Sequence, residues 1–218
     1  MIDAQLNKMV QPILKPLAQN LIKFNIKANY ITFIGFLFGI CCAFFITQGM
    51  FVAAIFFLFL NRFFDGLDGV MARISGPTDL GAFYDIICDF IFYSAFPLAF
   101  IILDINNSYH IGFLTLSFVA TQSTFLTSAW IIEKNKIDII EIQKKSFYYS
   151  GGITEGFETI ICFAMMLTFY DFIAYISYTF GILCWITFII TIIFLIPICS
   201  GKCRLCSMFL GYSILFIC

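Results

Sequence analysis

The stretch from Asn61 to Phe90 reads NRFFDGLDGVMARISGPTDLGAFYDIICDF, and it places four aspartates inside or beside apolar segments. Spacings of three and four residues put Asp65 and Asp68 on one stripe of a helix, and Asp85 and Asp89 on one stripe of the next helix. An ionised carboxylate at the centre of a membrane helix costs on the order of 3 kcal/mol. Four such groups together therefore require a partner that returns more free energy than their burial costs.

The composition around this stretch is that of a membrane protein. Of 218 residues, 61% are apolar, 19% are aromatic and only 11% are charged, which lies outside the range of soluble globular domains. A net charge of −1 gives no strong field that would attract nucleic acid, so we expect membrane lipid and no nucleic acid around the chain. The sequence predicts an all-α integral membrane protein.

Apolar runs predict six transmembrane helices. Before them, residues 1–28 carry apolar positions at helical spacing between lysines, which predicts an amphipathic helix on the membrane surface. The six-helix domain is predicted over 29–204, and the apolar tail 205–218 is too short for a comfortable seventh span. The predicted spans lie near 30–47, 50–64 with a polar extension to 73, 81–103, 110–132, 153–169 and 173–198.

All the basic residues fall on one side of this predicted topology. Under the positive-inside rule that side is the cytosol, so both termini and the aspartates are expected to face it. Turns near 48–50, 104–109 and 170–172 would lie on the other side, and they contain no Lys or Arg. Richness in Ile, Phe, Lys and Asn favours a bacterium, and hence its inner membrane. The basic residues are Lys8, Lys15, Lys23, Lys27, Arg62, Arg73, Lys134, Lys136, Lys144, Lys145, Lys202 and Arg204.

The aspartates are expected at matched depths in two antiparallel helices. Fourteen residues separate Asp65 from one outer turn, and fourteen separate Asp89 from the next. At about 1.5 Å per residue, both carboxylates lie about 21 Å from the outer boundary, below the cytosolic edge of the bilayer core. Asp68 and Asp85 would then face each other one turn closer to the cytosol.

Divalent cations are the partners that suit such a cluster. The nearby fixed positive charges are Arg62 and Arg73, and two bound divalent ions would neutralise the carboxylates far better. Hard oxygen ligands favour Mg²⁺ or Mn²⁺. Gly69 and Gly81 leave room for a ligand to approach the backbone, and the guanidinium of Arg73 suits a bidentate phosphate contact.

The fixed positions of this stretch resemble the signature of the CDP-alcohol phosphatidyltransferases. That signature is D-x2-D-G-x2-A-R, a spacer, and then G-x3-D-x3-D. The spacer here has seven residues where the common form has eight, and because the difference falls in the loop it indicates a branch of the family. The matching residues are Asp65, Asp68, Gly69, Ala72, Arg73, Gly81, Asp85 and Asp89.

The resemblance implies a reaction and a role for each of these residues. A phosphatidyl group would move from a CDP-alcohol, most simply CDP-diacylglycerol, to a small alcohol, with release of CMP. Asp65, Asp68 and Asp85 would bind the two metal ions, and Asp89 would be both a metal ligand and the general base. The family also suggests a homodimer. The cytidine pocket would be lined by Gly69, Ala72 and Gly81, and the diphosphate would be bound by Arg73.

Two further groups of residues lie near the expected pocket. Asn29 and Thr32 resemble the Asn-x2-Thr pair at the start of the family's first span and are candidates for nucleotide contact; a helix-capping role is the alternative for Asn29. Glu155 and Glu158, with Lys144, are candidates for the acceptor pocket. The alternative is that these glutamates are interfacial charges paired with the lysines of the preceding loop.

Other functions and several acceptors stay open at this point. A cation transporter would also place carboxylates in the membrane, although near the midplane and on broken helices. A non-catalytic membrane homologue could retain the aspartates. Glycerol 3-phosphate, serine, inositol or its phosphate, and choline are all possible acceptors. The shortage of basic residues near the pocket favours an uncharged or zwitterionic acceptor.

Overall fold

The computed structural model describes residues 2–134, 154 and 156–199, so the tail 205–218, Glu155 and Lys144 lie outside it. Within these residues the chain forms α-helices and short 3₁₀ turns, without a strand, and this confirms the all-α prediction. The helices are α1 (Ile2–Lys23), α2 (Ala28–Thr47), α3 (Phe51–Ser75), α4 (Asp79–Leu103), α5 (Ser108–Lys134), α6 (Gly156–Thr168) and α7 (Ile173–Cys199).

The turns between the helices lie where the sequence predicts them. Gly49 follows α2 with a φ of 69°, a left-handed conformation that glycine adopts without strain. The 3₁₀ turns Ile105–Asn107 and Tyr170–Phe172 separate α4 from α5 and α6 from α7. At the opposite end, Thr78 caps α4 by accepting a hydrogen bond of 3.1 Å from the backbone N–H of Gly81.

Within the described part of the chain, three segments are long and apolar enough to cross a membrane by length and composition: Ala28–Thr47, Asp79–Leu103 and Tyr170–Ile193. The chain is therefore an integral membrane protein, whereas the count of six spans stays a prediction. Helix α3 carries charges in its second half, and the described part of α6 has 13 residues.

Helix α5 is rich in Ser and Thr, and six of their hydroxyl groups are bonded within the helix, whereas Oγ1 of Thr115 has no partner among the described residues. Six Ser and Thr side chains donate to backbone carbonyls three or four positions earlier. A hydroxyl satisfied in this way is far cheaper to place in lipid than a free one. The donors are Ser117, Thr121, Ser123, Thr124, Thr127 and Ser128.

Helix α2 positions the two helices that carry the aspartates. It packs closely against both α3 and α4, while the backbones of α3 and α4 approach each other little. Buried Gly35 and Gly39 allow this close approach of α2, since neither has a side chain to hold the helices apart. A cleft between α3 and α4 results, with α2 as its floor. Beside this cleft, the ring of Phe96 on α4 stacks on the ring of Phe163 on α6, with 3.9 Å between the ring centroids, as part of the hydrophobic core.

Helix α1 packs against the outer side of α3. Leu14 and Ala18 are buried in a cluster with Leu67 and Met71 of α3, so α1 supports the half of α3 that carries the aspartates. Ile13, on the other side of α1, is 75% exposed. A lipid surface would cover such a residue, and the membrane-surface placement of α1 remains a prediction.

The helix ends remote from the aspartates are fastened by one polar and aromatic cluster. Asn107 donates to the carbonyl of Phe100 and to the hydroxyl of Tyr170, both at 3.0 Å. The ring of Phe51 lies 5.1 Å from that of Tyr170. These contacts join α3, α4 and both 3₁₀ turns at this end of the helices.

Replacing Gly39 by Ala tests the close packing of α2. The added Cβ would lie 2.7 Å from Cδ2 of Phe92, a fully buried ring, and 3.1 Å from Nδ2 of Asn61. Overpacking of this kind costs about 1–3 kcal/mol, so the thermal unfolding midpoint in detergent should fall. Gly112→Ala in α5 is the matched control, because its Cβ meets nothing within 4 Å. Equal midpoints for the two variants would contradict this packing.

Candidate metal centre

Three of the four predicted aspartates converge in the cleft. Asp65 and Asp68 of α3 and Asp85 of α4 each offer a carboxylate oxygen, and these oxygens all lie within 4.8 Å of one another. Asp65 and Asp68 are three positions apart and so point from the same side of α3. Because α3 and α4 are held apart by α2, the carboxylates meet across an open space and not across packed backbone.

The environment of Asp68 shows that this space suits a cation. Asp68 is 5% exposed, and its Oδ2 has no hydrogen-bond partner among the described residues. A buried carboxylate oxygen without a partner is costly, and two more carboxylates nearby increase the repulsion. A divalent cation relieves both costs. The all-oxygen donor set fits Mg²⁺ or Mn²⁺, with Asp65, Asp68 and Asp85 as the residues that would hold the ion.

Asp89 has a different partner. Its Oδ1 accepts a hydrogen bond of 2.9 Å from Nη2 of Arg62, which lies on α3. Nη1 of the same guanidinium lies 3.5 Å from Oδ2 of Asp65. The sequence predicts Asp65 and Asp89 at one depth, and the structure joins them there through Arg62. This role of Arg62 was not predicted, although its position three residues before Asp65 is a visible signal.

Arg62 is itself held firmly. Its Nε donates to Oδ1 of Asn61 at 2.8 Å, and its Nη1 donates to the hydroxyl of Tyr93 at 3.2 Å. Nδ2 of buried Asn61 donates in turn to the carbonyl of Gly35 on α2 at 2.8 Å. The guanidinium also lies over the ring of Phe92, 5.2 Å from its centroid. A continuous hydrogen-bond network therefore links α2, α3 and α4 beside the carboxylates.

All four aspartates line one small cavity between these three helices. Its wall on α2 includes Thr32, which places this predicted nucleotide contact beside the carboxylates. No Lys or Arg is among the described residues that line it. The lining residues are Thr32, Gly35, Phe36, Asn61, Asp65, Asp68, Asp85, Cys88 and Asp89.

The other predicted nucleotide contacts lie toward the turn between α3 and α4. A Cβ at Gly69 would lie 3.5 Å from Nη1 of Arg73, so the exposed side chain of Arg73 folds back along α3 over this glycine. A Cβ at Gly81 would lie 3.2 Å from Oδ1 of Asn29, which brings α2 and α4 together at this end. Ala72 is half-buried on α3.

The structure removes one alternative for Asn29. The N-cap of α2 is Lys27, without a side-chain cap, and Asn29 lies inside the helix. The helix-capping role considered for Asn29 is therefore wrong. Its side chain is directed toward Gly81 and the Thr78 turn instead.

The acceptor-pocket candidates are only partly within the described residues. Glu158 lies in the first turn of α6 and is half-buried, while Glu155 and Lys144 lie outside the described residues. Helix α6 contacts both α1 and α3. The acceptor role of these three residues stays a prediction.

Comparisons with solved structures show the same fold. Phosphatidylinositol phosphate synthase (PgsA1) of Mycobacterium tuberculosis, with CDP-DAG bound, matches with a TM-score of 0.60 and 20% identity, covering 83% of this chain and 92% of that one. The same enzyme in complex with manganese and citrate matches with a TM-score of 0.60 and 20% identity, covering 82% and 87%.

Sequence comparisons give the family. The inner membrane protein YnjF of Escherichia coli (strain K12) is 39% identical over 188 residues, which is 86% of this chain and 91% of that protein. The family model described as CDP-alcohol phosphatidyltransferase matches residues 25–196, a range that contains the whole aspartate cluster. The chain therefore belongs to the CDP-alcohol phosphatidyltransferase family, a family of membrane transferases.

Proposed function

We propose that the protein transfers a phosphatidyl group from CDP-diacylglycerol, or from another CDP-alcohol, to a small alcohol and releases CMP. The observation that carries this proposal is the group of carboxylate oxygens of Asp65, Asp68 and Asp85 within 4.8 Å, inside a chain of this family. The related fold of PgsA1 has been solved with CDP-DAG and with manganese and citrate, which supports a CDP-lipid substrate and a divalent ion.

The proposed centre holds two Mg²⁺ or Mn²⁺ ions. Asp65, Asp68 and Asp85 are the ligands supported by geometry, and Asp89 is proposed as a further ligand. When bound, such ions neutralise charge on a diphosphate and on its leaving phosphate. Continuous helices carry the ligands, since α3 and α4 run unbroken through the site. Carboxylates on unbroken helices are typical of a fixed catalytic centre, whereas a transporter usually places them on broken helices.

The chain's own residues then orient the substrates. Gly69, Ala72 and Gly81 leave room for the cytidine, with Asn29 beside Gly81, and Arg73 is available to the diphosphate over Gly69. Asp89 accepts the proton of the acceptor hydroxyl. The acceptor oxygen forms a bond to the phosphorus that bears the lipid, and the diphosphate bond to CMP breaks. CMP leaves with the electron pair of that bond.

The acceptor is proposed to be uncharged or zwitterionic. Among the described residues that line the cavity there is no Lys or Arg, and Arg62 beside it is engaged by Asp65 and Asp89. A phosphate-bearing acceptor would need cations at the pocket that are free to bind it. Glu158 near the start of α6, with Glu155 and Lys144, remains the proposed source of acceptor contacts.

The site is proposed to face the cytosol of a bacterial inner membrane, in a homodimer. The turns at the remote end of the helices contain no Lys or Arg, whereas Arg73 and Lys134 lie at the helix ends nearer the aspartates. This distribution follows the positive-inside rule. CDP-lipid and water-soluble acceptors would meet there, at the inner headgroups.

The activity is tested by CMP release from CDP-diacylglycerol with purified protein and a panel of alcohols: serine, inositol, choline, glycerol 3-phosphate and inositol phosphate. We expect release that requires both Mg²⁺ or Mn²⁺ and one alcohol of the uncharged or zwitterionic group, and that stops on chelation. Release with a phosphate-bearing acceptor alone would contradict the acceptor assignment. Cation flux through reconstituted vesicles, without CMP release from any alcohol, would contradict the function.

Removing one metal ligand should abolish this activity. Asp85→Asn keeps the size of the side chain but replaces the charged carboxylate by a neutral amide. The rate of CMP release should therefore fall by at least about 100-fold. Asp79→Asn is the matched control, because Asp79 lies in the first turn of the same helix, is exposed, and does not line the cavity. Comparable losses in both variants would show that α4 tolerates no change of charge, and would remove the support for a ligand role.

The base assignment makes a separate prediction for Asp89→Asn. Because an amide cannot take the proton of the acceptor, turnover should fall about 10²–10⁴-fold. Binding of CDP-diacylglycerol, measured directly on the variant, should persist because Asp65, Asp68 and Asp85 are untouched. An Asp89→Asn protein that turns over at the wild-type rate would refute this role.

A further inference from the structure

Arg62 is the cationic side chain closest to the carboxylate cluster in the described part of the chain, and it divides that cluster into two unequal parts. The guanidinium contacts Asp89 at 2.9 Å and Asp65 at 3.5 Å. Neither Asp68 nor Asp85 forms an ion pair with it, and Oδ2 of Asp68 has no hydrogen-bond partner among the described residues. Asp68 and Asp85 are therefore open to an added cation, Asp89 is held by the guanidinium, and Asp65 has the longer contact with it.

The position of this cation is fixed by neutral groups as well as by the carboxylates. Asn61 accepts from its Nε, Tyr93 accepts from its Nη1, and the rings of Phe92 and Tyr93 lie 5.2 and 5.5 Å from its Cζ. The side chain is only 18% exposed. An added ion that approached Asp89 would have to displace a guanidinium anchored on several sides, or accept repulsion from it at short range.

We propose that Arg62 is an internal competitor of the divalent cation, so that the two ions bind with unequal affinity and in a fixed order. The first ion binds to Asp65, Asp68 and Asp85 with Arg62 in place, because the contact of Arg62 with Asp65, at 3.5 Å, is longer than its hydrogen bond of 2.9 Å to Asp89. The second ion involves Asp89 and binds weakly, because Arg62 keeps one oxygen of that carboxylate. This inference rests on the proposed metal centre and concerns the order in which it fills.

The same arrangement gives Arg62 a role when fewer ions are bound. Four carboxylates and one guanidinium carry a net charge of −3 if all are ionised, against −4 without Arg62. Like charges this close repel one another, so the protein with no ion should depend on Arg62 more than the protein with two. Arg62 thus limits the repulsion until ions and substrate enter.

A titration of the full-length protein with Mn²⁺, followed by electron paramagnetic resonance of the free ion, tests this order without any turnover. For the wild type we expect one tight and one weak site per chain. In Arg62→Met the dissociation constant of the weak site divided by that of the tight site should fall at least about tenfold, because the competing charge is gone. Arg62→Lys keeps a charge at this position and should leave the second site weak.

Tyr93→Phe is the matched control. It removes one hydrogen bond to Arg62 but keeps both ion pairs, so the ratio of the dissociation constants should change by less than about threefold. If Arg62→Met is unstable without metal, a second measurement replaces the titration. The unfolding midpoint of Arg62→Met should rise more on adding Mn²⁺ than the midpoint of the wild type does. Folding that appears only on adding Mn²⁺ is the extreme form of the same result.

The outcomes separate this inference from the proposed function. Two equally tight sites in the wild type, an unchanged ratio in Arg62→Met, or equal midpoint gains in both proteins would overturn the role of Arg62 and leave the metal centre standing. Absence of Mn²⁺ binding in the wild type would overturn the metal centre itself.

Discussion

Mutual repulsion of carboxylates in one narrow cleft is the constraint on which the rest of the structure depends. Asp65, Asp68, Asp85 and Asp89 line one cavity, and Arg62 is the cation that pairs with two of them in the described part of the chain. Among these residues, one guanidinium leaves most of the negative charge uncompensated and Oδ2 of Asp68 unpaired. Divalent cations bound by hard oxygen ligands resolve this imbalance, and that is why the cluster indicates a metal-dependent centre.

The helix arrangement keeps that cluster open. If α3 and α4 packed directly on each other, their carboxylates would have no space for an ion or a diphosphate. Helix α2 lies between them, seated through Gly35 and Gly39, and Asn61 hydrogen bonds to the carbonyl of Gly35. The network then reaches Arg62 and Asp89. The same contacts that hold the three helices together therefore also set the position of the proposed base.

Much of this could be predicted from the sequence, because the deciding signals are local. Helical spacing within 61–90 and the apolar lengths on either side predict that Asp68 and Asp85 meet across the cleft, and Gly49 marks a turn. The pairing of Asp89 with Arg62 could not be predicted in this way. It depends on the rotation of α3 about its axis and on side-chain rotamers, which residue spacing does not determine. Residue spacing likewise does not show that α2 begins at Ala28, which excludes Asn29 as its cap.

A structure of the Mn²⁺-soaked protein recorded at the manganese absorption edge is the most direct test of whether Asp65, Asp68 and Asp85 hold a divalent ion. We expect an anomalous peak enclosed by these three carboxylates, at a distance of about 2.0–2.3 Å from their oxygens. A cleft without such a peak, or manganese bound only at sites remote from α3 and α4, would contradict it.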